Sequence, residues 1–323
     1  MRYDQRTVIL SEVDTTDHTF CLSLRIDVGS LVDSIHALGL INPPILRRNN
    51  DRSYTILCGF RRVKACRLLK WPKIEARVVA ANYSEAQLLE LVIQDNTSHR
   101  SLNLIEQARG TQKLLSLRPT IDLGTLASLF GFPANKNIFQ KIMALVELPE
   151  AVQEGLLDQK ISFEAAVDLS GFSINDTMGL FDLLKGLKLS QNKQKEIITM
   201  AREIAIREDL QVLDVIQSPA VQTVLAGDEL NRNEKATNIR NYLRKRRFPR
   251  LAKAEKSFFE DINQLKLNNY LHITPPANFE GRSYVLRMAF KDLKDLRKRR
   301  QELDALIQNP AMAKLLGERS ELE

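Results

Sequence analysis

The sequence predicts an α+β first domain (residues 1–100), an all-α second domain (101–226) and a small mixed α/β C-terminal region (234–323). Three observations predict it. Short β-branched runs alternate with Pro and Gly breaks through the first hundred residues; strand patterns then vanish for over a hundred residues; and a pair of apolar runs around a Pro and Gly turn returns near residue 280.

Each element follows from its residues. Residues 27–38 put Leu31, Ile35 and Leu38 on one helical face, and Gly39 supplies the stop. Pro43 and Pro44 forbid helix next, so Ile45 and Leu46 read as a short strand. Asn49, Asn50 and Asp51 make a turn, and SYTILCG returns as a second strand. Residues 63–69 form a short helix ended by Pro72, residues 74–79 alternate as a third strand, and Ser84 caps a long helix carrying Leu88, Leu91 and Val92.

In the second domain a helix over 102–117 is broken by Pro119. Asp122 opens a helix with Leu126, Ala127 and Leu129, Gly131 turns it, and 138–146 forms the next with Ile142 and Leu145 inside. Helix, glycine turn and helix outline a helix-turn-helix, whose second helix enters the DNA major groove. Asn135, Lys136, Asn137, Gln140 and Lys141 are its polar candidates for base contact. Pro149 starts a further helix, Ser162 caps 163–169, and 192–206 is a longer amphipathic helix. A polar linker over 227–233 leads to the C-terminal region, with helical 258–267, two strands around the Pro and Gly turn, and a helix from Lys291 bearing Leu293, Leu296, Leu303 and Ile307.

Composition narrows the function. The chain has 323 residues and 44% apolar content, enough for real cores. No run of eighteen apolar residues occurs and the N-terminus is charged, so neither a membrane span nor export is expected and a cytoplasmic address follows. Three cysteines without Cys-x-x-Cys spacing and four scattered histidines argue against a disulfide framework or a structural zinc. Net charge is +7, and residues 240–256 hold eight cations against one acid, whereas 147–229 hold fifteen acids against seven cations. Such sorting fits a polyanionic partner, with Arg244, Lys245, Arg246 and Arg247 expected on a phosphate backbone in a strongly salt-dependent contact. A nuclease lacks support, since no carboxylate cluster suited to a metal pair is visible.

Three stretches of the first domain share a theme: GLINPPILR (39–47), CGFRRVKA (58–65) and DNTSHRSLNLIEQA (95–108). The helix start after Gly59 presents free backbone N–H groups, and Arg61 and Arg62 add charge at the same spot, which suits a phosphate. Asp95 beside Asn96 offers oxygen ligands for a magnesium ion on such phosphates.

In order and spacing these stretches resemble the motifs of the ParB/RepB partition proteins: a Gly-x-x-x-Pro-Pro-like segment leading to an arginine, a Gly-Glu-Arg-Arg-x-x-Ala box and a Glu-Asn-x-x-Arg-x-x-Leu-Asn-x-Ile-Glu-x-Ala box. The likeness runs on through Leu148, Pro149 and KISFEAAVDL and covers residues 27–169. It implies a cytoplasmic, nucleoid-associated DNA-binding protein of chromosome or plasmid segregation. Such a protein binds CTP and Mg2+ in its first domain, and double-stranded DNA as a homodimer through its helix-turn-helix. A ParA-type ATPase is an expected partner. By position, Gly59, Arg61 and Arg62 hold the triphosphate, with Arg47, His99 and Arg100 completing the nucleotide set; Asn96 ligates magnesium, and Asp95 stands in the hydrolytic position. The sequence departs from the pattern at Phe60, which replaces the box glutamate, at Asp95, one methylene short, and at His99, which replaces an arginine. Misplacing a carboxylate by about an ångström costs roughly 10²-fold in rate, so CTP hydrolysis is expected to be slow at most. The alternative is a DNA-binding regulator or adaptor whose nucleotide pocket has decayed.

Overall fold

The computed structural model describes residues 2–281 and 283–316. The chain divides into two compact units, Met1–Ile198 and Thr199–Glu323. The first opens with β1 (Asp4–Ile9) and the two-residue β2 (Val13–Asp14). These are followed by α1 (Gly29–Leu38), β3 (Ile45–Arg48), β4 (Tyr54–Cys58), α2 (Phe60–Leu68), β5 (Lys73–Val79) and α3 (Glu85–His99). Among the described residues the strands make a five-stranded mixed sheet in the order β1-β5-β3-β4-β2. Strand β3 runs parallel to β5 and antiparallel to β4, with a register shift between Ile45 and Leu46. Its core gathers Leu46, Ile56, Val63, Ala65, Cys66, Ile74 and Ala76, all buried.

The elements expected between residues 27 and 99 are present, and α2 starts three residues early, at Phe60. The edge strand β1 was not foreseeable by alternation, because of its six residues just Val8 is buried. An edge strand with both faces wet carries no period-two signal.

From residue 104 onward the first unit is helical: α4 (Leu104–Leu117), α5 (Leu123–Phe130), α6 (Lys136–Ala144), α7 (Glu150–Leu157), α8 (Phe163–Leu169), α9 (Ile174–Leu187) and the start of α10 (Gln191–Glu208). Side chains at the N-caps fix several starts. Asn103 accepts from the N–H groups of Ile105 and Glu106, Asp122 from Thr125, Asn135 from Asn137 and Ile138, and Ser162 from Ala165. Each such cap satisfies otherwise orphaned donors and is worth about 1 kcal/mol. Helix α5 ends at left-handed Gly131. Helix α9 went unforeseen because Gly179 and Gly186 dilute its apolar pattern.

The second unit adds α11 (Val212–Ile216), α12 (Pro219–Ala226), α13 (Arg232–Arg247), α14 (Pro249–Leu265), β6 (Leu271–Thr274), β7 (Val285–Met288), α15 (Leu293–Ile307) and α16 (Pro310–Leu316). Pro249, with no N–H to donate, separates α13 from α14. The two strands pair antiparallel, as the turn sequence predicts, with His272 opposite Arg287. Among the described residues no helix is long and apolar enough to cross a membrane.

Candidate nucleotide cleft

The turn between β4 and α2 sets the geometry. Gly59 sits at φ 96°, ψ 29°, a left-handed conformation that side chains resist. A Cβ there would also meet the Arg62 guanidinium at 2.9–3.0 Å. Arg62 therefore lies flat on Gly59. Its Nη1 donates to the carbonyls of Asn42 (2.8 Å) and Pro43 (3.0 Å), tying the diproline turn to α2. The adjacent Arg61 is more exposed and donates from Nε to the carbonyl of Asp27.

Opposite this turn, the C-terminal half of α3 brings Asp95, Asn96 and His99 to the same cleft, of about 630 Å³. Gly59, Phe60, Arg61, Arg62 and Arg100 also line it. Two of the three motif stretches, separated by 29 residues in sequence, thus face one cavity. Arg47 is placed differently: its guanidinium lies 5.7 Å from the centre of the buried Phe20 ring, and it is not among the cleft-lining residues.

The electrostatics of the floor are coupled. Burial pushes the Cys58 thiol far above its usual range, and the charge and hydrogen bonding of Asp95 push it the same way, so Cys58 stays protonated. Burial pulls the Arg62 guanidinium down from its ordinary value, while Asp95 acts in the opposite sense. His99 Nε2 stands 3.9 Å from Asp95 Oδ1 on the exposed rim. Asn96 donates from Nδ2 to the Val92 carbonyl (2.8 Å), which leaves Oδ1 as its acceptor. Among the described residues no group of three His, Cys, Asp or Glu could hold a metal alone. One carboxylate and one amide oxygen fit instead a magnesium ion that takes its remaining ligands from phosphates and water.

At the far end Glu106 is buried to 2% exposure and fully engaged. Arg100 donates to both its oxygens at 2.6 Å, Ser23 donates its hydroxyl at 2.6 Å, and the Asn103 N–H donates at 3.1 Å. Burial alone would raise its pKa, but Arg100 and Ser23 outweigh burial and hold it below the ordinary carboxyl value. The segment from Phe20 to Asp27 closes this side of the cleft. Neither that segment nor Glu106 stood out as part of a site in sequence. The signal for Glu106 was present in the Asn103-x-x-Glu106 capping box; the segment carries no periodicity at all.

A match to the model of the ParB N-terminal domain spans residues 25–97, the stretch that holds the β4–α2 turn and α3 as far as Asn96 and Thr97. The chain carries a ParB N-terminal domain over these residues. The chain is 29% identical over 135 residues to the nucleoid occlusion protein of Lysinibacillus sphaericus, covering 42% of this chain and 44% of that protein. The nucleoid occlusion protein of Oceanobacillus iheyensis is 27% identical over 198 residues, 60% of this chain and 63% of the relative. The chain thus spans about half the length of the curated relatives it matches. Among solved structures, the C-terminally truncated chromosome-partitioning protein ParB from Caulobacter crescentus complexed to the centromeric parS site aligns over 60% of this chain and 98% of that one, at 17% identity and a TM-score of 0.37.

The residues expected on DNA divide by environment. Lys136, Asn137 and Gln140 at the start of α6 are exposed. Asn135 is engaged as the cap of α6, and Lys141 pairs with Glu164 at 2.7 Å. In the basic run Arg244 pairs with Glu255 on α14 at 2.6 Å and Arg246 pairs with Glu208 on α10. Arg247 pairs with Glu203 and stacks 4.5 Å from the Phe248 ring centre. Lys245 alone of these four is exposed with no ion pair among the described residues.

Proposed function

We propose that this chain is a ParB-family, partition-type DNA-binding protein whose first domain binds CTP with magnesium and whose α5–α6 pair reads double-stranded DNA. The observation that carries the nucleotide half is the convergence of the Gly59–Arg62 turn and the Asp95–Asn96 segment on one cleft. In this reading the first-turn N–H groups of α2 and the guanidinium groups of Arg61 and Arg62 take the phosphates. Asn96 and Asp95 hold magnesium against them, and His99 and Arg100 close the rim. Magnesium supplies charge neutralisation on the phosphates when bound. Asp95 also stands where hydrolysis would need a carboxylate, but its short side chain favours binding over turnover.

For DNA, the exposed Lys136, Asn137 and Gln140 on the first turns of α6 are the supporting residues. Reading two half-sites calls for a homodimer, and exposed Val285, Leu286, Phe290 and Leu293 in the second unit support one. The names of the relatives extend the reading to nucleoid occlusion as well as segregation, both at the nucleoid in the cytoplasm, with a ParA-type ATPase as a partner in the segregation case. A second reading, a DNA-binding regulator or adaptor with a silent cleft, is favoured by Phe60, which packs against the first-domain core and lies 6.0 Å from His18.

Titration with fluorescent CTP, magnesium and duplex DNA separates the two. Saturable binding that Arg62→Ala weakens about tenfold or more is expected for loss of a charged hydrogen-bond donor. No CTP binding in the presence of DNA would leave the adaptor reading.

A further inference from the structure

Residues 15–28 form a strap without helix or strand. It is nonetheless tightly held, with Phe20 and Leu22 buried to 2% and 4% exposure. Leu22 packs at Gly110 of α4, where a Cβ would come within 3.3 Å of its Cδ2. Lys113 of α4 donates from Nζ to the carbonyls of Thr19 (2.8 Å), His18 (3.3 Å) and Cys21 (3.4 Å). Most of the strap precedes the stretch matched by the ParB domain.

Neighbouring residues at its C-terminal end are tied to different machinery. On the cleft side Arg61 donates to the Asp27 carbonyl and Lys64 donates to the Ile26 carbonyl at 2.9 Å. Two residues earlier, Arg25 donates from Nε to Glu154 (2.9 Å) and from Nη1 to Asp158 (2.8 Å), both on or next to α7. Helix α7 is itself tied to the turn that follows α6: Gln153 donates to the Leu148 carbonyl at 2.8 Å and accepts from Arg109 Nε at 3.1 Å. A continuous path of packed and hydrogen-bonded groups therefore leads from Arg61 to the end of the helix proposed to read DNA.

We propose that the strap is a mechanical link between cleft and helices, latched to α7 by Arg25: an anionic phosphate in the cleft draws Arg61 off the Asp27 carbonyl, and the loosened strap releases Arg25 from Glu154 and Asp158. This rests on the nucleotide reading above. The direction follows from the acceptors. A guanidinium gains from an anionic phosphate oxygen a Coulombic attraction, and a bidentate geometry, that a neutral carbonyl does not offer. The latch is also weak enough to open, since Arg25, Glu154 and Asp158 are all at least 30% exposed and such pairs are worth little individually. Arg25 and Lys160 hold Asp158 down to about 2, and Arg25 holds Glu154 low, so the latch is charged at neutral pH.

The test is hydrogen exchange on the full chain with and without CTP and magnesium, comparing the natural sequence with the double variant Glu154→Gln, Asp158→Asn, whose residues lie outside the cleft. CTP is expected to speed exchange of residues 15–28 and 150–158 about three- to fivefold. The double variant is expected to start at the faster rate without nucleotide and to gain nothing more in 150–158. CTP binding with no change in exchange of the strap and α7 overturns the link. Failure of CTP to bind removes the nucleotide reading instead, and the latch is then judged without ligand: unchanged strap and α7 exchange in the double variant overturns it, faster exchange supports it.

Discussion

Gly59 shows how one residue serves fold and site together. Its left-handed φ and the guanidinium resting on it leave no room for a methyl group. Gly59→Ala is expected to cost about 1–2 kcal/mol from backbone conformation. It should also lift Arg62 from its perch, so CTP binding weakens more than stability does; denaturant unfolding beside CTP titration checks both. Glu106 is the second such residue. Glu106→Gln, which strips the negative charge from four hydrogen bonds, is expected to lower stability by about 2 kcal/mol at pH 7. The sign with pH follows from a carboxyl whose folded pKa lies below its ordinary value of 4.5. Its contribution is complete above that value and is lost as pH falls through the lower folded pKa. The gap between natural and variant proteins should therefore shrink on acidification below 4.5, and urea titrations at a series of pH values would reveal a gap that fails to do so.

At the scale of the element, helix α13 changes meaning once folded. In sequence its last turn is a cluster of four cations; in the structure three of them are answered by Glu255, Glu208 and Glu203 from other helices. Arg246 is largely buried and accepts no replacement for its two-nitrogen contact with Glu208. Arg246→Ala is expected to destabilise the second unit by about 1–3 kcal/mol, the range for losing a charged hydrogen bond. Lys245→Ala should stay within about 0.5 kcal/mol, as exposed substitutions do. Thermal unfolding that ranks the two variants equally would refute this division. The same contrast holds for α6, whose first-turn side chains are open while Lys141 is spoken for by Glu164.

For the whole molecule, α10 passes from the first compact unit into the second, and its last turns bind α13 through Glu203, Arg207 and Glu208. A chain ending at Asn231 should lose exchange protection over 203–208 and keep it in the cleft; if the proposed dimer uses the second unit, light scattering should also find that chain monomeric. By itself the sequence determined the order of elements over residues 27–169 and the identity of the Gly59–Arg62 and Asp95–Asn96 stretches. Caps, glycine stops and proline breaks act within a few residues, so they are legible without a fold. Tertiary structure alone decided three things: that Arg47 stacks on Phe20 of the cleft wall, that a patternless strap closes the cleft, and that three of the four cations from Arg244 to Arg247 are spent on ion pairs. Each depends on partners 11 to 133 positions away and outside the residue's own element, and charge or burial between such residues leaves no local period to read.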